Sequence, residues 1–248
     1  MGGVVNLSYA GPHVAVVELA DREHSNLFSK ELVEGLVASF AEVRENREVR
    51  AVVVHGYDSI FCAGGTREEL LRLQEGRVRF DDVPLYRIFL DCEVPVVAAM
   101  QGHALGGGLV VGLYADALVL AEESLYSSNF MKYGFTPGMG ATLVMPLKLG
   151  HALASEMMMT ARNYYGGELR RRGVAFPVVA RRDVIPTALQ TAREIAEKPR
   201  ASLALLKQRL NAQLVAALPE AVERELEMHA VSFALPEVRA RIETLFGV

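Results

Sequence analysis

The stretch Pro95-Val96-Val97-Ala98-Ala99-Met100-Gln101-Gly102-His103-Ala104-Leu105-Gly106-Gly107-Gly108-Leu109 decides how this chain is read. Residues 95–100 are apolar without alternation, as in a strand buried on both faces of a parallel sheet. The glycine-rich turn 102–108 feeds a helical run to Tyr114, and residues 117–121 form another buried strand. The same order occurs upstream. Ala51-Val52-Val53-Val54 reads as a buried strand, Phe61-Cys62-Ala63-Gly64-Gly65-Thr66 as a small-residue turn, and residues 68–74 as a helix. Strand, turn, helix and strand in repeated order predict an α/β architecture.

Two strands open the chain, at residues 4–9 and 14–19, split by Gly11-Pro12. Ser29 reads as a helix N-cap ahead of the apolar stripe Leu32, Leu36, Phe40 and Val43. Residues 75–82 are polar and irregular and read as a loop. From residue 141 onward helices dominate, at 143–149, 152–160, 184–197, 202–216, 220–233 and 236–246, and only 176–179 reads as a strand. No linker or low-complexity segment divides the 248 residues. A single domain is expected, with an α/β core to about residue 180 and a helical region from about 181 to 248.

Hydrophobic residues make up 51% of the chain, ample for a large core, and the net charge of −4 argues against a phosphate-binding field for nucleic acid. The run Arg170-Arg171-Arg172 before Gly173 suits a helix C-terminus. Two cysteines, Cys62 and Cys92, without a CxxC spacing provide neither a disulfide framework nor a metal site, and both read as small packing residues. No apolar leader or membrane-spanning run is present, so the expected setting is a reducing cytoplasm. No His/Asp/Glu spacing predicts a metal, and Ser127 and Ser128 lack a nucleophile-elbow pattern.

Both glycine turns lie between a buried strand and a helix, where backbone amides are free and the helix dipole is positive. Two such turns brought together would aim two N–H donors at one oxygen, the geometry of an oxyanion hole. Either turn alone reads equally well as tight packing of strand and helix. Together, Phe61 to Gly65 and Pro95 to Leu109 resemble the double signature of the crotonase (enoyl-CoA hydratase/isomerase) superfamily. Asp116 and Thr136-Pro137-Gly138-Met139-Gly140 also match that pattern. The resemblance implies a spiral of ββα units and a helical C-terminal region used in trimer formation, with a homotrimer or a dimer of trimers as the assembly. It implies a thioester substrate carried on coenzyme A or on the phosphopantetheine of an acyl carrier protein, with no further cofactor. The amides of Gly65 and Gly107 would hold the thioester oxygen.

Hydratases of that family use two glutamates to handle water. The matching positions here are Val110, three residues after Gly107, and Phe130, seven before Pro137. Water addition needs a positioned base, and these side chains supply none. Decarboxylation of a glutaconyl-type thioester needs instead an electron sink, which an oxyanion hole provides. Asn129-Phe130-Met131-Lys132-Tyr133-Gly134-Phe135, Leu90-Asp91-Cys92-Glu93 and Gln101-Gly102-His103 resemble the decarboxylases of polyketide β-branching. These act on 3-methylglutaconyl groups on an acyl carrier protein.

His229 shares an apolar helical stripe with Val222, Leu226 and Phe233 and points inward, with Glu225 one turn earlier as a possible partner. It reads either as a satisfied core histidine or, by the resemblance, as the group that protonates the dienolate or orients the carboxylate. Arg79 reads as a grip on the carboxylate, or as a loop charge paired with Asp81 or Asp82. By the resemblance, Ala63, Val110, Phe130 and His24 would contact substrate, His24 through the pantetheine. His103 reads as a packing or turn-bonding residue, and His13, His55 and His151 carry no constellation. Two other functions fit the chain. An isomerase would share the dienolate intermediate, and a catalytically idle subunit would only dock a carrier protein or partner enzyme.

Overall fold

The computed structural model describes residues 3–79 and 84–246. Strands β1 (Val5–Tyr9) and β2 (Val14–Leu19) pair antiparallel and lead into α1 (Lys30–Glu45). Ser29 caps α1 by accepting from the Leu32 amide, and Leu32, Leu36, Phe40 and Val43 are its buried apolar stripe. The β-β-α unit then recurs. β3 (Ala51–His55), β4 (Ile60–Cys62) and α2 (Arg67–Gln74) form the second. β5 (Val96–Met100), β6 (His103–Leu105) and α3 (Gly107–Leu113) form the third. β7 (Ala117–Ala121) and β8 (Leu125–Ser127) begin a fourth, completed by a 3-10 turn at Asn129–Tyr133 and by α4 (Ala141–Leu149).

From the second unit on, each unit contributes one strand to each of two sheets, so the chain advances as a spiral. The larger sheet runs β1-β2-β3-β5-β7-β10, where β10 is Val178–Val179, and is parallel from β2 onward. The smaller runs β4-β6-β8-β9, with β9 (Tyr164–Tyr165) antiparallel to β8. The apolar runs of β3 and β5 are buried because both sheet faces are covered. Val52, Val54, Val96 and Ala98 face the main core. Ala51, Val53, Val97 and Ala99 pack against Val184, Ala188, Ala192 and Ala196 of α7 (Arg181–Ala196). The four-residue spacing of those small side chains lets α7 lie close to the sheet.

Several elements differ from the sequence reading. The turn at 102–108 contains β6, and β9 is a second strand beyond residue 141. α6 (Gly166–Arg171) ends at the arginine run, with Gly173 at φ +82°. After α5 (His151–Thr160), α6 and α7, the expected helices 202–216 and 220–233 are one helix, α8 (Arg200–Ser232), which runs through Pro219. A proline inside a helix costs about 3 kcal/mol, and the buried Leu214, Leu218 and Val222 on both sides of it hold the helix together by tertiary packing. The last helix is α9 (Pro236–Leu245). The expected loop holds for residues 75–79, while Asp81 and Asp82 lie outside the described residues.

α8 is tied to the sheet by Lys207, which is 5% exposed and donates to the Phe89 and Val94 carbonyls at 2.7 and 3.1 Å. Its ammonium also lies 2.8 Å from Asp116, whose carboxylate accepts from the Val96 amide. Asp116 therefore serves the fold.

Candidate active site

The two glycine turns meet backbone to backbone. Gly64 has φ +89°, and a Cβ there would lie 2.6 Å from the Leu105 carbonyl oxygen and 3.3 Å from the Gly107 nitrogen. A Cβ on Gly108 would collide with the Cys62 carbonyl. Only glycine permits this approach. The segment after β2 holds the first turn in place. Asn26 donates to the Leu19 and Phe61 carbonyls at 3.0 and 2.9 Å, and the Phe28 amide donates to the Gly64 carbonyl at 2.8 Å. The second turn is held by the Gly106 amide, which donates to the Ser127 carbonyl at 2.8 Å. The Cys62 thiol donates to the Asn26 carbonyl, and burial pushes its pKa up to about 12, so it is an inert packing group.

Among the described residues, no backbone carbonyl accepts from the Gly65 or Gly107 amides. Gly107 is the first residue of α3, where a helix leaves its amides unsatisfied. Both glycines line a cavity of about 300 Å³, together with Ala63, Arg79, Phe130 and Tyr133. Phe130 is buried and meets Phe135 edge to face, with ring centroids 6.1 Å apart. The cavity therefore has an apolar wall at residue 130. Val110 is fully buried in α3 and does not line the cavity. Its side chain belongs to the core.

The remaining expected residues are spread more widely. The His24 side chain is 55% exposed, outside the cavity, with Nδ1 3.1 Å from Asp21 Oδ1. His103 Nδ1 accepts from the Leu125 amide of β8 at 2.9 Å, so its ring bonds to the neighbouring strand and not to the glycine turn. His229 lines a second cavity of about 360 Å³ with Leu226, Ala230 and Phe233. Leu73, Val78 and Arg79 line both cavities, which therefore adjoin. His229 Nε2 donates to the Thr136 and Pro137 carbonyls at 3.0 and 3.1 Å. Burial holds its pKa below the ordinary value, which favours the neutral ring.

Glu225 does not serve His229 as the sequence spacing implied. Its carboxylate accepts from the Gly140 amide at 2.7 Å and from the Thr142 amide and hydroxyl at 2.8 and 2.6 Å. It thus satisfies donors at the N-terminus of α4.

Asn129 and Tyr133, both from the 3-10 turn, also line the first cavity, and no role was assigned to them from sequence. Asn129 Oδ1 would lie 2.5 Å from a Cβ on Gly106. The available signal was their place in the stretch 129–135. Stacked rings run from this turn toward His229. Tyr133 lies over Phe135 at 5.9 Å, Phe135 over Phe233 at 4.5 Å, and Phe233 meets the imidazole at 5.4 Å. Among the described residues, no group of three or more His, Cys, Asp or Glu could hold a metal ion. No helix there is long and apolar enough to cross a membrane.

The spiral of β-β-α units and the paired glycine turns define a crotonase-fold protein. The chain belongs to the enoyl-CoA hydratase/isomerase family, whose model matches residues 10–244. It is 49% identical over 244 residues to the bacillaene synthase decarboxylase PksI of Bacillus subtilis, covering 98% of each protein. It superimposes with a TM-score of 0.97, at 49% identity and with 99% and 100% of the two chains covered, on a structure from a dehydratase/decarboxylase enzyme couple involved in polyketide β-branching. It also matches the ECH2 decarboxylase domain of CurF from Lyngbya majuscula, with a TM-score of 0.95 and 46% identity over 99% of this chain and 100% of that one.

Proposed function

We propose that this protein decarboxylates a 3-methylglutaconyl-type thioester presented on an acyl carrier protein, leaving a 3-methylcrotonyl-type thioester for polyketide β-branching. The observation that carries this reading is the pair of amides, Gly65 and Gly107, facing a cavity whose wall at residue 130 is phenylalanine. The amides hold the thioester oxygen. When the carbon–carbon bond to the carboxylate breaks, its electron pair moves into the dienolate and onto that oxygen. Each donor of this kind contributes about 2.7–4 kcal/mol to such a barrier. No base is needed, and Phe130 offers none for adding water.

Arg79, on the boundary of the two cavities, draws the carboxylate to the site and releases it as CO2. His229 acts from behind this boundary. Its Nε2–H fixes the Thr136–Pro137 backbone, and hence the turn that carries Met139 into the cavity wall. Ala63 and Phe130 bound the acyl group. The assembly we assign is a homotrimer or a dimer of trimers, which light scattering can check.

The test is to incubate the protein with 3-methylglutaconyl carrier protein and follow the acyl mass. Loss of CO2 supports the reading, whereas a double-bond shift at constant mass would make the protein an isomerase. An unchanged substrate would favour the idle docking subunit. Arg79→Ala should raise KM or slow turnover, and unchanged kinetics would remove Arg79 from the mechanism.

A further inference from the structure

We propose that the Tyr133 hydroxyl is the proton donor that quenches the dienolate after CO2 has left. This rests on the decarboxylase reading and supplies the step that reading leaves open, the return of a proton to carbon.

The placement of exchangeable protons carries the inference. Among the described residues, four side chains on the first cavity's wall are titratable: Glu69, Arg72, Arg79 and Tyr133. Glu69 is ion-paired with Arg72 at 3.2 Å near the surface, and a carboxylate accepts hydrogen bonds rather than donating them. The two guanidinium groups keep their protons throughout the accessible pH range. Asn129 contributes an amide, which is not acidic. Tyr133 is the buried member, at 6% exposure. His229 lines the neighbouring cavity, and its Nε2–H is engaged by two carbonyls.

The surroundings of Tyr133 suit a donor. Its ring is held between Phe135 at 5.9 Å and Phe246 at 6.3 Å, both stacked, so the position of the phenol is set by packing. Among the described residues, no hydrogen bond to its hydroxyl is made. Burial raises its pKa above that of an ordinary tyrosine, so the group carries its proton across the neutral range. A phenol is still a far stronger acid than the carbon it would protonate. The step balances. The Tyr133 O–H bond breaks, a C–H bond forms on the dienolate, and the electron pair returns from the thioester oxygen to the carbon chain. The phenolate then recovers a proton from water.

The test is Tyr133→Phe, which keeps the stacked ring and removes only the hydroxyl. With 3-methylglutaconyl carrier protein, kcat should fall about 100-fold, as for loss of a general acid, with KM within about two-fold. In D2O the parent enzyme should place deuterium on one face of one carbon, and the variant should lose that selectivity. If the variant fails to fold, 3-fluorotyrosine at position 133 preserves the shape and should move the alkaline limb of the pH–rate profile to lower pH. Parent-like kcat and deuterium placement in Tyr133→Phe, or an unmoved alkaline limb, would overturn the role of Tyr133 and leave the decarboxylase reading intact. Failure of the parent enzyme to release CO2 would overturn both.

Discussion

Thr142 donates twice to Glu225, from its backbone amide at 2.8 Å and its hydroxyl at 2.6 Å, and both bonds end on the same carboxylate oxygen. The other oxygen accepts from the Gly140 amide, so this one side chain of α8 joins the N-terminus of α4 to the C-terminal helices. Glutamine supplies a single acceptor oxygen and turns an NH2 toward a backbone or hydroxyl donor. Glu225→Gln is therefore expected to cost about 1–3 kcal/mol at neutral pH. Calorimetry would show this as a Tm lowered by about 2–4 °C per kcal/mol. An unchanged Tm would mean that α4 does not depend on this cap.

Gly64→Ala probes the approach of the two turns. The new Cβ would sit 2.6 Å from the Leu105 oxygen, at a φ of +89° that strains any side chain. The turns must separate, and the two amides can then no longer share one oxygen. Turnover of the carrier-linked substrate should fall at least about 100-fold, the usual effect of losing an oxyanion donor. Parent-like kcat would show that the amides do not act together.

His229 links stability to pH. Its folded pKa is lowered by burial, so the unfolded chain binds a proton more readily. Its contribution is fully present above the unfolded value near pH 6.5 and declines as pH falls toward the folded pKa. Burial raises the pKa of Glu225, which titrates in the opposite sense. Comparing the parent with His229→Gln cancels that term. The stability advantage of the parent in urea should shrink below about pH 6.5, and parallel curves would contradict the buried neutral imidazole.

Lys207 is a buried charge held by the Phe89 and Val94 carbonyls and by Asp116. Lys207→Met would leave the Phe89 and Val94 carbonyls without this donor and weaken the neutralisation of Asp116. Breaking one partner of a buried pair costs about 3–5 kcal/mol. Urea unfolding should report a loss of that size, and a change below 1 kcal/mol would show that water replaces the ammonium.

Much of the architecture was legible because the long strands and amphipathic helices carry a period. The buried runs of β3, β5 and β7 and the Ser29 cap were read to within a residue or so. The small sheet was not, since strands of two or three residues such as β4, β6 and β9 hold too few side chains to show alternation. Pro219 gave a local stop signal that the packing of Leu214, Leu218 and Val222 overrode. The apolar stripe on α8 correctly turned His229 inward, but a stripe says which side a residue faces and not which cavity lies there.

The sequence by itself determined that two glycine turns follow buried strands, because residue identity and local spacing are enough for that, and its resemblance to the crotonase family implied that Val110 and Phe130 stand where a hydratase keeps its acids. Only the tertiary structure decided what those facts amount to. Packing brings Gly64 against Gly107, sends Val110 into the core while Phe130 meets the cavity, assigns Glu225 to the cap of α4, and places Tyr133 rather than His229 on the wall of the cavity that Gly65 and Gly107 line. The reason is physical. These are contacts between units distant in the chain, set by how the sheets and helices fill space, and no local pattern encodes them.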